Sequence, residues 1–481
     1  MVIWRSIDNH QIDKSPDRQI GSFRHEAHRL ADWIADYLEH PERFPVLSRV
    51  RPGEVRDHLP QSAPERGESY ETIFADFERV ILPGITHWNH PGFFAYFAIS
   101  GSEPGVLAEF LSAALNVQAM LWRTSPAATE LEDVTLSWLR QLLGLPDAFE
   151  GVIYDTASVS TLHALAAARE IAVPEVRGAG LAGLPRLRVY CSEHAHSSVD
   201  KAVILLGLGH DGLRRIPADR DFAMRPDALE DAIAADRAAG MLPIAVVATI
   251  GTTSSTSVDP VDAIAPISAA EQLWLHVDAA YAGVAAMVPG CEWILRGADR
   301  ADSIVVNPHK WLFTPFDLSV LYCRRMEAIR QAFSLTPEYL RTSEGEAGVR
   351  NLMDTGIQLG RRFRALKLWM VLRHFGAEGL RARLTEHMRL ARVLAGWIDE
   401  SDRFERVAPV PLSVVCFRLR GDASDEEHQR ILDRVNASGE VFLSHTKLDG
   451  RFVLRVAIGN LHTTEEHVAR AWALLNDAAR V

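Results

Sequence analysis

Two segments, Trp274-Leu275-His276-Val277-Asp278-Ala279-Ala280-Tyr281-Ala282-Gly283 and Ser303-Ile304-Val305-Val306-Asn307-Pro308-His309-Lys310-Trp311, decide the fold. Each opens as an apolar run of strand length and stops in polar residues. The first delivers a carboxylate, Asp278, and the second an amine, Lys310. In an open α/β sheet, strand ends of this kind line the ligand crevice. A buried ion pair would satisfy the same two residues.

The neighbours of Lys310 favour chemistry. Flanked by His309 and Trp311, the lysine leaves an apolar strand for a partly dry setting, where desolvation favours the neutral amine. A neutral lysine forms a Schiff base with an aldehyde. The cofactor that uses such a lysine, with a carboxylate on its pyridine nitrogen, is pyridoxal 5′-phosphate.

Upstream, strand-like runs alternate with helical text from Ile153 onward, which predicts a mainly parallel sheet covered by helices. Gly151-Val152-Ile153-Tyr154-Asp155-Thr156-Ala157-Ser158 leads into a helix through Arg169. Read alone, it is an ordinary N-cap cluster. Read with Lys310, it is a cup for a phosphate, because a helix N-terminus offers free N–H groups and the positive end of the dipole. Leu187–Cys191 reads as a strand ending in His194 and His196, an H-x-H pair without apparent further metal ligands. Gly207-Leu208-Gly209-His210-Asp211-Gly212 fits a dinucleotide fingerprint but lacks a strand before and a helix after it, so it reads as a turn. Ile244–Ile250 is a strand ending in Gly251-Thr252-Thr253.

Outside this centre, Ala27, Leu30, Ile34 and Leu38 recur at helical spacing, and a second helix is expected over Tyr70–Leu82. His87–Phe97 is dense in aromatics, which in general signals core packing. Helical text runs from Glu103 to Leu143. Leu335–Gly348 is polar and carries Tyr339, either a lid or a plain surface loop. Gly360-Arg361-Arg362-Phe363-Arg364 opens a helix and, in isolation, is a solvated basic face. After Gly376, helical text to Ile398, strands Ser413–Leu419 and Arg451–Ala457, and a helix from Glu465 to Ala479 form a smaller α+β region.

The 481 residues, 47% hydrophobic and 24% charged, are those of a globular protein with ample chain for a large core. A net charge of −12 argues against nucleic acid or an anionic membrane as partner. No apolar run is long enough to span a bilayer, and Met1–Ser6 lacks a signal-peptide core. Cys191, Cys291, Cys323 and Cys416 are scattered without metal spacing, which reads as free thiols in a reducing cytoplasm.

The joined motifs His276-Val277-Asp278-Ala279-Ala280-Tyr281 and Asn307-Pro308-His309-Lys310-Trp311 closely resemble the pyridoxal-phosphate-dependent group II amino-acid decarboxylases, nearest to the aromatic-L-amino-acid decarboxylases. The resemblance runs from about Ala27 to the C-terminus. It implies the aspartate-aminotransferase-like α/β architecture (fold type I): a dimerising helical segment over residues 1–100, a cofactor domain over 101–375 and a small α+β domain over 376–481. It implies that Lys310 carries the cofactor, that Asp278 pairs with the ring nitrogen, and that His196 and Ala280 flank the ring. Thr156, Ala157, Ser158 and His309 match the phosphate site, and Thr249 and Asn307 lie near the cofactor. Trp88, Tyr96, Phe97, Ile99, Gln118, Met120, His196 and Gly360 match the substrate side of the site. That aromatic-rich segment favours an aromatic over an acidic substrate. Relatives with Gly at position 360 tend to admit indoles, and Ile99 replaces a threonine of some catechol-accepting relatives, so indole or phenyl rings are expected over catechol. Gln118 and Met120 depart from the usual aliphatic and aromatic residues. Tyr339 matches the tyrosine that protonates Cα; relatives with Phe there are aldehyde synthases. The implied product is an amine, formed by a cytoplasmic homodimer whose sites lie at the interface and which holds no metal. An aromatic aldehyde synthase, another group II decarboxylase acting on glutamate, histidine or diaminobutyrate, a non-catalytic cofactor-binding protein, and an α/β protein with a buried Lys–Asp pair are the alternatives.

Overall fold

The computed structural model describes residues 23–335, 342–346 and 348–480. Tyr339 lies outside the described residues. The chain divides into a unit ending at His87 and a unit from Trp88 onward.

In the first unit the helix Phe23–Glu39 aligns its aromatic residues as the spacing predicts. Trp33 stacks on Tyr37 at 5.6 Å and meets Phe74 and Phe77 edge-on at 6.0 and 5.5 Å. Ser69 caps the helix Tyr70–Asp76, and the expected continuation to Leu82 is a π-helical turn, Phe77–Ile81, followed by a short 3₁₀ turn.

The second unit is built on a seven-stranded sheet. Its strands in chain order are β1 (Glu150–Tyr154), β2 (Leu187–Ser192), β3 (Leu213–Ile216), β4 (Leu242–Thr249), β5 (Trp274–Asp278), β6 (Ser303–Val306) and β7 (Ser319–Cys323). Their spatial order is β1-β7-β6-β5-β4-β2-β3. Only β7 runs against its neighbours β6 and β1; the other pairings are parallel. Apart from the edge strand β3, the strands are buried on both faces, as a helix-covered parallel sheet requires. Val246, Ala248, Leu275, Val277 and Ile304 point into one core, and Ala245, Val247, Trp274 and Val305 into the other. This is the fold type I architecture.

A four-stranded antiparallel sheet follows: β8 (Phe404–Arg406), β9 (Val414–Leu419), β10 (Ser444–Leu448) and β11 (Arg451–Ala457), in the order β10-β11-β9-β8. The helical segment Ala365–Asp399 precedes it, interrupted at Gly376, where φ is 63° and ψ 173°.

Three local expectations change. The helical run from Glu103 stops at Leu115, where Asn116 turns left-handed (φ 48°), and a new helix, Pro126–Leu142, starts behind the Ser125 cap. Proline at N1 suits a start because its missing N–H would be unpaired there anyway. Gly360–Phe363 is not helical; the helix begins at Ala365. Arg361 is buried rather than part of a solvated face. The glycine-rich decoy is a turn: Gly207 and Gly209 have positive φ, and β3 starts right after Gly212.

Candidate active site

Three strands bring the chemistry together at their C-terminal ends. Thr249 ends β4 and is in register with Asp278, which ends β5; Asp278 is in turn in register with Val305 of β6. Beyond β6, Asn307 caps a single turn, Pro308–Trp311, that carries His309 and Lys310. The helix Ala157–Ala172 starts just beyond β1 with Thr156 at its N-cap. Thr156, Ala157, Ser158 and His196 line one side of a cavity of about 180 Å³. Thr249, Asp278, Ala280, Asn307, His309 and Lys310 line the rest of it, with Phe97.

The cavity is electrostatically asymmetric. Burial is the main influence on Lys310 and pulls its amine below the usual lysine range; Asp278 opposes this and Arg455 reinforces it. Burial also lowers His196, and pushes His309 down to about 3, so both imidazoles are neutral near pH 7. Their tautomers follow from their partners. The Ser198 N–H donates to Nδ1 of His196 (3.1 Å) and the Leu318 N–H to Nδ1 of His309 (2.9 Å). Each ring therefore carries its proton on Nε2. Asp278 accepts the Ala280 N–H through Oδ1 at 3.1 Å.

The cavity fits pyridoxal phosphate. Thr249 Oγ1 and Asn307 Oδ1 are buried on its wall with no partner among the described residues. Such orphans are rare unless a ligand completes them. The first turn of the helix Ala157–Ala172 leaves the Ala157 and Ser158 N–H groups without intrahelical acceptors, a setting that suits an anion.

The pyridoxal-dependent decarboxylase conserved domain matches residues 52–420 of this chain. A tryptophan decarboxylase 2 from Oryza sativa subsp. japonica is 42% identical over 466 residues, covering 94% of this chain and 93% of that protein. A phenylacetaldehyde synthase from Arabidopsis thaliana is 41% identical over 470 residues, covering 95% of each. The chain belongs to the pyridoxal-dependent decarboxylase family. The crystal structure of Oryza sativa TDC with PLP and tryptamine superposes with a TM-score of 0.93 at 37% identity, covering 97% of this chain and 99% of that one.

In this decarboxylase, not every residue matched to the site reaches the cavity. Phe97 and His196 do; Trp88, Tyr96, Ile99, Gln118, Met120 and Gly360 do not line it. Trp88 stacks between Phe93 (4.3 Å) and Tyr96 (6.0 Å). A Cβ on Gly360 would meet Gln118 Nε2 at 3.2 Å, and Gln118 Oε1 accepts the Arg361 N–H at 2.7 Å. The Met120 carbonyl accepts the Met353 N–H at 3.0 Å. His194 packs edge-on against Phe222, and no metal-binding cluster occurs among the described residues.

Sequence reasoning passed over four contributors. Gly251, Thr253 and Tyr281 also line the cavity. Gly251 has φ +84°, and a Cβ there would sit 2.5 Å from that of Ala282, so only glycine fits. Tyr281 stacks on Phe97 at 3.7 Å and on Trp311 at 4.7 Å, an aromatic column behind Lys310. The fourth is Arg455, buried behind Phe97. Its signal was present: an arginine set between apolar residues in the middle of the strand Arg451–Ala457.

Proposed function

We propose that the protein converts an aromatic L-amino acid to its amine and CO₂ with pyridoxal phosphate, through the residues that meet in this cavity. One observation carries the reading: the Lys310 amine, the Asp278 carboxylate and the first turn of Ala157–Ala172 converge on one space.

When bound, the cofactor supplies an electrophilic carbonyl and a conjugated ring that accepts the electron pair released when the Cα–carboxylate bond breaks. The chain does the rest. Lys310, whose amine burial shifts towards the free base, is the nucleophile that retains the cofactor. Asp278 keeps a proton on the ring nitrogen; Oδ1 is engaged by Ala280 and Oδ2 remains for that contact. Ala157 and Ser158 N–H groups, the Thr156 and Ser158 hydroxyls and the His309 Nε2–H hold the phosphate. His196 and Ala280 flank the ring. Thr249 and Asn307, unpartnered in the protein alone, complete its polar contacts.

The substrate side chain is bounded by Phe97 with Trp88, Tyr96 and Ile99 beside it. Gln118, Met120 and Gly360 act from the second subunit of a homodimer, to which the region through residue 100 also contributes. Residues 101–375 serve as the cofactor domain and 376–481 as the small domain. This reading favours indole or phenyl substrates over catechol, and a cytoplasmic enzyme. No helix among the described residues is long and apolar enough to cross a membrane.

The test is a panel of amino acids with the amine product read by mass spectrometry, on protein whose visible cofactor absorption is recorded. Aromatic substrates should yield amine, and Lys310→Ala should lose the visible band. A variant spectrum equal to wild type would move the cofactor lysine elsewhere. A second reading is supported by the Arabidopsis thaliana phenylacetaldehyde synthase, as similar as the tryptophan decarboxylase. Aldehyde and hydrogen peroxide in place of amine would establish it.

A further inference from the structure

Arg455 lies in the middle of β11 and is 2% exposed. Its Nε donates to the Ser254 carbonyl at 3.1 Å and its Nη1 to the Tyr96 carbonyl, while Nη2 has no partner among the described residues. None of the described acidic residues pairs with it. A guanidinium stays charged, and a buried charge without a counter-ion is expensive. The molecule therefore needs a reason to keep it.

The reason lies at one ring. The Arg455 guanidinium is 4.8 Å from the centroid of Phe97, and Lys310 Nζ is 5.3 Å from the same centroid. Phe97 cannot easily tilt, because Tyr281 stacks on it and Trp311 backs Tyr281. The two cationic groups are thus fixed no more than about 10 Å apart, since both lie near one centroid. Phe97 offers a single quadrupole to both. Arginine never yields its proton here, so lysine is the group that does.

The other groups around Lys310 leave this balance to two charges. Asp278 favours the ammonium form. His196 and His309 are neutral because burial lowers both, and the Tyr281 phenol is protonated because burial raises it.

We propose that Arg455 is a positioning residue that acts on Lys310 beside the Phe97 ring, its fixed charge disfavouring the ammonium form and so favouring the free amine that reacts with a carbonyl. This rests on the reading of Lys310 as the cofactor lysine. At an effective dielectric near 20, a unit charge about 10 Å away moves a titration midpoint by about one pH unit.

The experiment is competitive acetylation of the full-length protein, stripped of cofactor, over a pH series, with Lys310 labelling read by peptide mass spectrometry. Arg455→Gln keeps donors and loses the charge; Arg455→Met loses both; Arg455→Lys keeps the charge. Both neutral variants should raise the Lys310 midpoint by about one unit, and Arg455→Lys should stay within about 0.3 unit of wild type. Neutral variants that titrate like wild type, or an Arg455→Lys shift as large as theirs, overturn the proposal. Near-UV circular dichroism checks the fold. If neither neutral variant folds, Arg455 only holds β11 in place and the proposal also fails. The Lys310→Ala spectrum tests the cofactor reading separately, because the acetylation midpoint is measured without cofactor.

Discussion

Arg361 and Glu132 form a buried ion pair, Nη2 to Oε1 at 3.0 Å, with 7% and 4% of their side chains exposed. The same Nη2 donates to the Ile153 carbonyl at 2.6 Å, and Glu132 Oε1 accepts the Ile153 N–H at 2.9 Å. The pair thereby ties the helix Pro126–Leu142 and the loop after Gly360 to β1, the strand that feeds the helix at the phosphate end of the cavity.

Truncating one partner leaves the other charge buried and alone, which costs about 3–5 kcal/mol. Arg361→Ala should lower the urea unfolding free energy by that amount. Arg361→Met combined with Glu132→Leu, which removes both charges and retains volume, should cost less than Arg361→Ala alone. Unfolding of Arg361→Ala at the wild-type urea concentration would contradict the clamp.

The centre of the fold was legible because Trp274–Asp278 and Ser303–Lys310 each join an apolar run to one reactive residue, and that pattern is local. Arg361 was not legible. It stands among Arg362 and Arg364, and the carboxylate that buries it lies far away in sequence, at Glu132. β7 escaped for another reason. Ser319–Cys323 is buried along its whole length, so it has neither the alternation of a half-exposed strand nor the length of a helix. The Ser198–Leu205 helix and the turn after it were readable from turn chemistry alone. Gln118, Met120 and Gly360 were matched by resemblance, and their distance from the cavity lining depends on folding that no local pattern encodes.

Acid should destabilise the protein between about pH 6.5 and 4, because an unfolded histidine titrates near 6.5. Burial pushes His163 and His309 down to about 3, and His276 and His387 down to about 4. With folded values below unfolded ones, their contribution is full above pH 6.5 and is lost as pH falls towards the folded values, because the unfolded chain takes up the protons first. Each site is worth on the order of 3 kcal/mol over that window. Asp259, raised by burial to about 7, has the opposite sign: its contribution is present at low pH and lost as pH rises through 7. Four sites outweigh one, so the urea midpoint should fall steeply from pH 6.5 to 4.5. His276→Gln, which can still bond Ser303 and Thr161, should fall less. A midpoint that is flat over this range would refute the assignment.

The helix Glu103–Leu115 exposes Leu107, Phe110, Leu111 and Leu115 at 57%, 49%, 50% and 61%. Their spacing puts all four on one face. A contiguous apolar stripe of this kind marks an association surface. Leu111→Glu places a charge in its middle and should halve the mass seen by light scattering. If the proposed homodimer forms through this face, it should also abolish turnover, since in that reading Gln118, Met120 and Gly360 reach the neighbour's cavity. A dimeric Leu111→Glu with wild-type turnover would remove this helix from the interface.

Tyr339 should decide which product leaves. Once CO₂ departs, the electron pair left at Cα is quenched by a proton, giving amine, or is taken by O₂, which leaves as hydrogen peroxide, and water then hydrolyses the resulting imine to aldehyde and ammonia. A general acid held near Cα favours the first outcome, and a closed loop limits entry of O₂ and water. His196 and His309 are poor sources of that proton: burial lowers both, so both are neutral near pH 7, and a neutral imidazole N–H is a weaker acid than a phenol. Tyr339, which matches the family's tyrosine assigned to this step, is the proposed donor. Wild type should therefore release amine almost exclusively. Tyr339→Phe keeps the ring and removes only the hydroxyl, so it should lose most amine and gain aldehyde, with oxygen uptake on an electrode and peroxide in step with aldehyde. Its visible cofactor band should remain, which separates a lost proton donor from a lost cofactor. If Tyr339→Phe makes amine at the wild-type rate and takes up no oxygen, the proton comes from another group and the loop has no part in choosing the product.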